Sequence, residues 1–568
     1  MSKIHTLKIN NFQWIENFEQ KFNSDFICII WRWDSWKTTI LKAISYILYP
    51  NWNLSFYDTD FFNCNIEENI EIEATLFDIP EKLLQESMYG LYIRWINNSS
   101  WEIQDEINDE VTKCLTIKLI VTKDLEPKWY IVSNRQDDKE IRAWDRALFN
   151  AFFITDYIDR HFSWNKWTPL YSLLKDEWEW TESNGVILES IRAAKSQIDS
   201  EEYNWFDSVL TKVKTSASEL WLNASNLLTT IDFKDISITE WKVSLHDNNI
   251  PFRQKWKWTK RLLSMAIQHE LVKRWWIILI DEIEQWLEPD RVQHLVSTLK
   301  KNNEWQIFIT THSNSVLVEL EYSDLFLKRE NNSSLNTFNS DLQSLIRTRP
   351  ESFFSKKIIV CEWETEFWIC RAFNDYNIEL WKENISSLWI KLVIWKWHSL
   401  IEMSKCFVNL GYKVALFCDS DDVSVNSEKP WLIWKGIEII DWKNNNALES
   451  ALFNNINYSI ANELLELAIN IKSDEDWEDF EKVKVDIYWN LKEKLWSDFP
   501  VVLDESNYNQ DIKNVLWSIA EWKKTSWFKQ IWKWIKLWNV IFSNYDDIES
   551  ESEIKKNFDK LSNWIEND

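Results

Sequence analysis

Apolar residues along the chain fall into two rhythms, one of strands and one of helices. Ile4, Leu7 and Ile9 open a strand, and Phe26–Ile30 (FICII) is a continuous apolar run of strand length. A short polar loop follows, and then Ile40, Leu41, Ile44, Ile47 and Leu48 recur at helical spacing. Ile70, Ile72, Ala74 and Leu76 alternate with polar residues, as do 115–121 and 129–132, so β-structure follows the first helix. From about 167 to 230 the period turns helical, with Val186, Ile187, Ser190, Ile191 and Ala194, then Val209, Leu210, Val213 and Leu220. Short buried strands are expected at 277–280 and 307–309, and the polar stretch 331–350 reads as a linker. A second series begins with strands at 356–361, 390–394 and 413–418 and a helix around 400–410. The pattern predicts an α/β chain with the divisions 1–165, a helical insertion 166–232 with dimerisation as its candidate use, 233–328, a linker 329–355, a second α/β domain 356–545, and an acidic tail 546–568.

The loop between the FICII strand and the first helix reads Trp31, Arg32, Trp33, Asp34, Ser35, Trp36, Lys37, Thr38, Thr39. With glycine at 31, 33 and 36 it would spell GRGDSGKTT, a phosphate-binding G-x-x-x-x-G-K-[ST] loop, with Lys37 for the phosphates and Thr38 for magnesium. With indoles there it cannot cradle an anion, because the loop needs positive φ and close backbone approach. Composition changes this picture. The chain has 41 Trp and 4 Gly in 568 residues, and an ordinary protein is about 7% Gly. Trp also recurs where turn chemistry favours Gly, as in LYPNWN and EKPWLIWKG. The expectation is that most of these Trp stand at UGA codons that the source organism reads as glycine; the alternative is a truly tryptophan-rich protein.

Length admits two or more domains with separate cores. No apolar run reaches the length of a membrane span, and the N-terminus MSKIHTLKIN lacks a signal peptide's apolar stretch, so a cytoplasmic protein without a membrane partner is expected. Seven cysteines, without a CxxC pair and with Cys28, Cys361 and Cys418 inside apolar runs, speak for reduced core residues rather than disulfides or zinc. A net charge of −26 argues against coating nucleic acid by bulk attraction. Two basic clusters stand out locally: Arg253, Lys255, Lys257, Lys260 and Arg261, and Lys523, Lys524, Lys529, Lys533 and Lys536. Either would suit phosphate, and either would equally be a solvated face.

Asp281-Glu282 ends the apolar run 277–280, where one carboxylate would hold magnesium and the second would orient the attacking water. The segment KWKWTKRLLSMA, containing Lys260, precedes it; Leu287-Glu288-Pro289-Asp290 follows, and Thr310-Thr311-His312-Ser313 ends the next strand. In the second series, Glu362 ends one strand in the run EWETE with Glu366, the triplet Asp419-Ser420-Asp421 ends another, and Glu449 lies at a helix start. Carboxylates at one edge of a parallel sheet sit where α/β folds bind ligands. Their mutual repulsion calls for a cation, and oxygen ligands favour Mg²⁺ or Mn²⁺. Two such ions suit phosphodiester cleavage, and Lys524 or Lys529 would offset transition-state charge. The plainer meaning of each motif alone is a helix-capping Glu and a solvated acidic loop.

In the order of its motifs the first half resembles ATP-binding-cassette (ABC) ATPases of the SMC and RecF type, with a P-loop, a signature helix around Lys260, a D-loop at Asp290 and a switch histidine at His312. The second half resembles a Toprim domain, and the combination is similar to the OLD (overcoming lysogenisation defect) family, which includes the nuclease subunit of the Gabija phage-defence system. The resemblance implies ATP binding in the first half, with Glu282 and His312 serving hydrolysis. It implies metal-dependent DNA nicking or cleavage in the second half at Glu362, Glu366, Asp419, Asp421 and Glu449. Homodimers or larger assemblies are implied as well, and a helicase partner is left open. The rival from another class is a non-catalytic SMC/RecF-like clamp or sensor on DNA.

Overall fold

The computed structural model describes residues 2–30, 34–106, 111–149, 151–154, 162, 170, 173, 204–222, 226–231, 243–272, 277–301, 305–329, 333–395, 399–420, 423–442, 448–476, 481–482, 484–485, 489, 504–506, 508–521 and 531–567. The chain divides into two compact units, Met1–Thr348 and Arg349–Asp568.

The first unit begins with β1 (Lys3–Phe12), β2 (Ile15–Lys21) and β3 (Phe26–Ile30), then the helix Asp34–Ile47. It continues through β4 (Ile70–Phe77), β5 (Arg94–Asn97), β6 (Ile103–Gln104), β7 (Val111–Val121), β8 (Pro127–Ser133) and β9 (Gln136–Glu140). Among the described residues, β1, β2 and β4 to β9 form one antiparallel sheet with the path β2-β1-β4-β7-β5-β6, extended by β8 on β7 and β9 on β8. Register explains its buried face. Leu7 lies opposite Ala74 and Ala74 opposite Ile117, while Ile9 lies opposite Ile72 and Ile72 opposite Leu119, so one alternating apolar set meets the helix Asp34–Ile47.

The other face of that helix meets a second sheet. After β10 (Ala151–Ile154), a small antiparallel group is made by β11 (Leu227–Ile231), β12 (Val243–Asp247) and β13 (Ile250–Pro251). Then come the helix Lys257–Val272, β14 (Ile277–Ile280), the helix Pro289–Lys300, β15 (Gln306–Thr311), β16 (Leu325–Lys328) and β17 (Leu335–Thr337). The second sheet has the order β10-β14-β15-β3-β16-β17, parallel except for β17. Every residue of β3, β14 and β15 is buried, as the continuous apolar runs of a two-sided parallel sheet require.

Two expected boundaries differ. The stretch 329–355 is not an open linker: β17 pairs with β16 (Leu327 with Asn336, Lys328 with Leu335), and Leu335, Phe338, Leu342, Leu345 and Ile346 are buried anchors carried on short elements among polar residues. Within the insertion 166–232, the helix Asn204–Glu219 is present, but Leu227–Ile231 is a strand paired with β12; its run Thr229-Thr230-Ile231 is β-branched. The residues 174–203 lie outside the described ones, so Val186 through Ala194 do too.

The second unit is built on β18 (Lys357–Cys361), β19 (Ile390–Ile394), β20 (Lys413–Phe417) and β21 (Glu438–Ile440), all parallel in the order β19-β18-β20-β21. The helices Glu364–Glu379, Ser399–Asn409 and Val423–Trp434 make the crossovers, and Tyr458–Asp476, Gln510–Glu521 and Ile531–Ser543 share one apolar core with the sheet. The expected acidic tail is corrected here. Glu553–Glu566 is a helix whose Ile554, Phe558, Leu561 and Ile565 lie at i, i+4, i+7 and i+11 and are buried in that core. Lys357 Nζ donates to the carbonyls of Trp564 (3.2 Å), Ile565 (3.1 Å) and Asn567 (2.5 Å), capping the helix's last turn with a cation.

The tryptophans divide sharply. Trp442 and Trp538 are fully buried, whereas Trp52, Trp256, Trp381 and Trp434 are largely exposed. Among the described residues, thirteen non-glycine residues have positive φ and five are Trp: Trp101, Trp221, Trp286, Trp381 and Trp389, at φ 53 to 64°. For so bulky a side chain this conformation is an outlier. Trp431 and Trp434 of the EKPWLIWKG run are not in a turn; they belong to the helix Val423–Trp434, and the turn follows at Gly436, φ 83°.

Candidate functional site

In the first unit, strand order brings together residues far apart in sequence. Because β15 lies between β14 and β3, the carboxyl end of each strand meets its neighbour's. Thr38, in the first turns of the helix after β3, donates its hydroxyl to Asp281 Oδ2 at 2.8 Å. Thr310, near the end of β15, donates to Asp281 Oδ1 at 2.6 Å and accepts the Glu282 N–H at 2.8 Å. Lys37 is buried, and its Nζ is hydrogen-bonded to His312 Nε2. Lys37, Thr38, Asp281 and His312 thus form one cluster at the carboxyl edge of the second sheet. Glu282 sits in the left-handed region at φ 44°, a conformation worth roughly 1–3 kcal/mol of strain. It is pinned there by Thr310 on its N–H and by Arg261, which donates to its carbonyl at 2.6 Å.

A hydroxyl and a carboxylate at hydrogen-bond distance are a hard-oxygen pair of the kind magnesium takes, so Thr38 and Asp281 fit that ion. Lys37 supplies a buried ammonium to the same cluster. Thr39 donates to Gln13 Oε1 at 3.3 Å, tying the helix to the hairpin of β1 and β2. Of the remaining residues expected in the loop, Trp31, Arg32 and Trp33 lie outside the described residues; Asp34, Ser35 and Trp36 already belong to the helix Asp34–Ile47, where the side chains of the first two lie outside the described residues and Trp36 is half-buried. Lys260 is on the first turn of the helix Lys257–Val272 and donates to the Arg253 carbonyl at 3.0 Å; Asp290 is exposed on the first turn of the helix Pro289–Lys300. Both stand at helix starts, on elements other than those that carry the Lys37 cluster.

The basic cluster 253–261 is not a uniform solvated face. Arg261 is buried, donating to Gln285 at 2.6 Å and to the carbonyls of Asp281 and Glu282, and Lys255 pairs with Asp247 at 2.7 Å. Arg261 therefore braces the Asp281-Glu282 turn instead of waiting for phosphate. Two further residues belong beside this site without having stood out in the sequence. Glu284 accepts from the Thr311 hydroxyl (2.7 Å) and the His312 N–H (2.5 Å), shaping the histidine's loop. Lys328 ends β16, beside β3, with its Nζ 4.2 Å from the centre of the Trp36 ring, and burial pushes its pKa down to about 8. A lysine closing the apolar run LFLK was the available signal.

In the second unit, β18 has β19 on one side and β20 on the other, so the strand order reverses at β18/β20, the position where open α/β sheets bind ligands. Glu362 follows β18 directly and Asp419 lies just past β20. The Asp419 N–H donates to Glu362 Oε2 at 3.1 Å, and Glu362 is 8% exposed. Glu366 is buried and accepts the Trp363 N–H at 2.8 Å, which makes it a cap of the helix Glu364–Glu379, the plainer of its two meanings. Asp421, Lys524 and Lys529 lie outside the described residues, and so does the side chain of Glu449, whose backbone is in the helix Leu448–Asn455. Among the described residues, no group of three or more His, Cys, Asp or Glu side chains is arranged to hold a metal ion. Glu362 and Asp419 still fit one in their chemistry, as two carboxylate residues brought to one sheet edge by neighbouring strands. Beneath them Cys418 is fully buried, which pushes its thiol well above the usual range. Among the described residues the seven cysteines are free, and all but Cys64 are buried. No helix among the described residues is long and apolar enough to cross a membrane.

No family model matches the chain, and no curated protein matches it. Among solved structures it is similar to the SMC head bound to the C-terminal winged-helix domain of ScpA (14% identity, 59% of this chain and 96% of that one, TM-score 0.36). It is also similar to the SMC head domain from Thermotoga maritima (12%, 59% and 99%, TM-score 0.28) and to the recombination mediator RecF with ATP (14%, 60% and 98%, TM-score 0.36).

Proposed function

We propose that the chain is an ATP-binding, divalent-metal-dependent DNA endonuclease of the OLD type, an ABC-type ATPase joined to a Toprim domain, with glycine as the native residue at positions 31, 33 and 36. The observation that carries the nuclease is the meeting of Glu362 and Asp419 at the reversal point of a parallel sheet. The nucleotide site is supported by the cluster of Lys37, Thr38, Asp281 and His312. There Lys37 would bind phosphate, Thr38 and Asp281 would hold magnesium, and Glu282 would orient water. In the second unit Glu362, Asp419 and Asp421 would hold Mg²⁺ or Mn²⁺, with Glu449 completing the set and Glu366, expected there from the sequence, capping the helix Glu364–Glu379. The ion supplies charge neutralisation on the scissile phosphate and acidifies water. Lys524 or Lys529 would meet the charge that develops on phosphate. Glycine is supported by the positive-φ tryptophans and by the exposed indoles. DNA is the substrate in this reading, with a homodimer as the minimal assembly, phage defence or DNA repair as the setting and a helicase as a candidate partner.

The test is nicking of supercoiled plasmid with Mg²⁺ or Mn²⁺ by the protein carrying glycine at 31, 33 and 36 and by its Asp419→Ala form. Nicking by the first, lowered at least about a hundredfold in the second, is expected. Equal activity in both, or none in either, overturns the nuclease and favours the non-catalytic clamp. Peptide masses from the native organism decide the glycine question, and a Trp mass at 31, 33 or 36 ends it.

A further inference from the structure

Asp419 and Ser420 follow β20, and a carboxylate brought beside Glu362 at this edge is repelled unless its backbone is held. The holding contacts come from the helix Val423–Trp434. Asn426 and Lys429, one turn apart on the same helix face, form a chain of hydrogen bonds. Asn426 Nδ2 donates to the Ser420 carbonyl at 2.7 Å, Lys429 Nζ donates to Asn426 Oδ1 at 2.5 Å, and Lys429 Nζ also donates to Asp441 Oδ2 at 2.6 Å. Lys429 can only donate and the Ser420 carbonyl can only accept, so the Asn426 amide has one orientation that serves both. Asp441 lies just past β21 as Asp419 lies just past β20, and Lys429 is nine-tenths buried between the helix and the sheet edge. On the other side of Ser420, the Asp419 N–H is held by Glu362.

We propose that Lys429 is a positioning residue of the candidate metal site: with Asp441 as counter-charge and Asn426 as relay, it fixes the Ser420 backbone and so sets where Asp419 stands relative to Glu362. The inference rests on the divalent-metal reading of that edge. A buried ammonium suits this task. It supplies directed donors to two acceptors at once, and its pairing with Asp441 offsets part of the cost of burying the ammonium. Partners of this outer kind typically change metal affinity about 10–100-fold when removed.

The experiment is titration of the full chain with Mn²⁺, followed by calorimetry, beside the melting temperature without metal. Asn426→Ala is decisive, because it cuts the link between Lys429 and Ser420 and leaves the Lys429–Asp441 pair in place. It is expected to weaken Mn²⁺ binding at least about tenfold while the metal-free melting temperature stays near the parent's. Lys429→Met is expected to weaken binding as much; should it fail to fold, the double variant Lys429→Met with Asp441→Asn, which buries no lone charge, takes its place. Parent-like Mn²⁺ affinity in Asn426→Ala overturns the positioning role and leaves the metal site standing. Absence of Mn²⁺ binding in the parent overturns the metal reading itself, and the positioning role with it.

Discussion

Trp381 and Trp538 place the same side chain in opposite circumstances. Trp381 is 94% exposed at φ 61°, so its indole buries almost nothing while its backbone sits where glycine is at ease. Trp538 is wholly buried among Phe542 and Phe558. Trp381→Gly is therefore expected to raise stability by about 1 kcal/mol, and Trp538→Ala to lower it by about 3–5 kcal/mol, both read by urea unfolding. A loss on Trp381→Gly would count against glycine as the native residue there. Composition alone exposed the excess of Trp, but only backbone conformation and burial sort one indole from another. Lys37, Thr38 and Asp281 stood out in the sequence because each sits in a local motif, a polar loop or an acidic pair directly after an apolar run. The contacts of Glu284 and Asn426 with backbone groups, and of Lys429 with Asn426 and Asp441, did not, because no side-chain pattern announces them.

Elements were legible wherever burial repeats with a clear period. The strands 277–280 and 390–394 and the helix at 400–410 stand within a residue of their expected bounds. What failed was the reading of sparse or mixed segments. The helix Glu553–Glu566 carries enough acid on its outer side to pass for a tail, yet its four apolar positions complete the core of the second unit. Phe558 packs against Phe373, Phe417, Trp538 and Phe542. Phe558→Ala is expected to cost about 3–5 kcal/mol, the price of a large-to-small change in a packed interior. Thermal melting followed by near-ultraviolet circular dichroism checks it, and a change below about 1 kcal/mol would show a helix merely resting on the surface.

At the scale of the whole molecule, two units each carry their own sheet, core and candidate site. Lys37→Ala is accordingly expected to abolish nucleotide binding in the glycine-bearing protein, since it removes the buried ammonium to which the proposed function assigns the phosphate. Mn²⁺ affinity at the second unit should stay within about twofold of the parent. Calorimetric titration of both ligands into one preparation checks the pair, and loss of Mn²⁺ binding in Lys37→Ala would show that the two sites are not energetically separate. The mixed α/β class was readable from the alternation of strands and helices. The joining of β3 to strands from the far end of the unit was not, since nothing local records which run will lie beside which.

That joining bears on how the protein is born. β3 is flanked by β15 and β16, so FICII emerges from the ribosome long before either neighbour has been translated. At about 5–20 residues per second the interval is on the order of tens of seconds. Throughout it the nascent chain displays a greasy segment with both hydrogen-bonding rims vacant, a standing invitation to strands of other polypeptides. A holdase that recognises short aliphatic stretches would find its natural client there, and synthesis of this central strand becomes a race between shielding and mispairing.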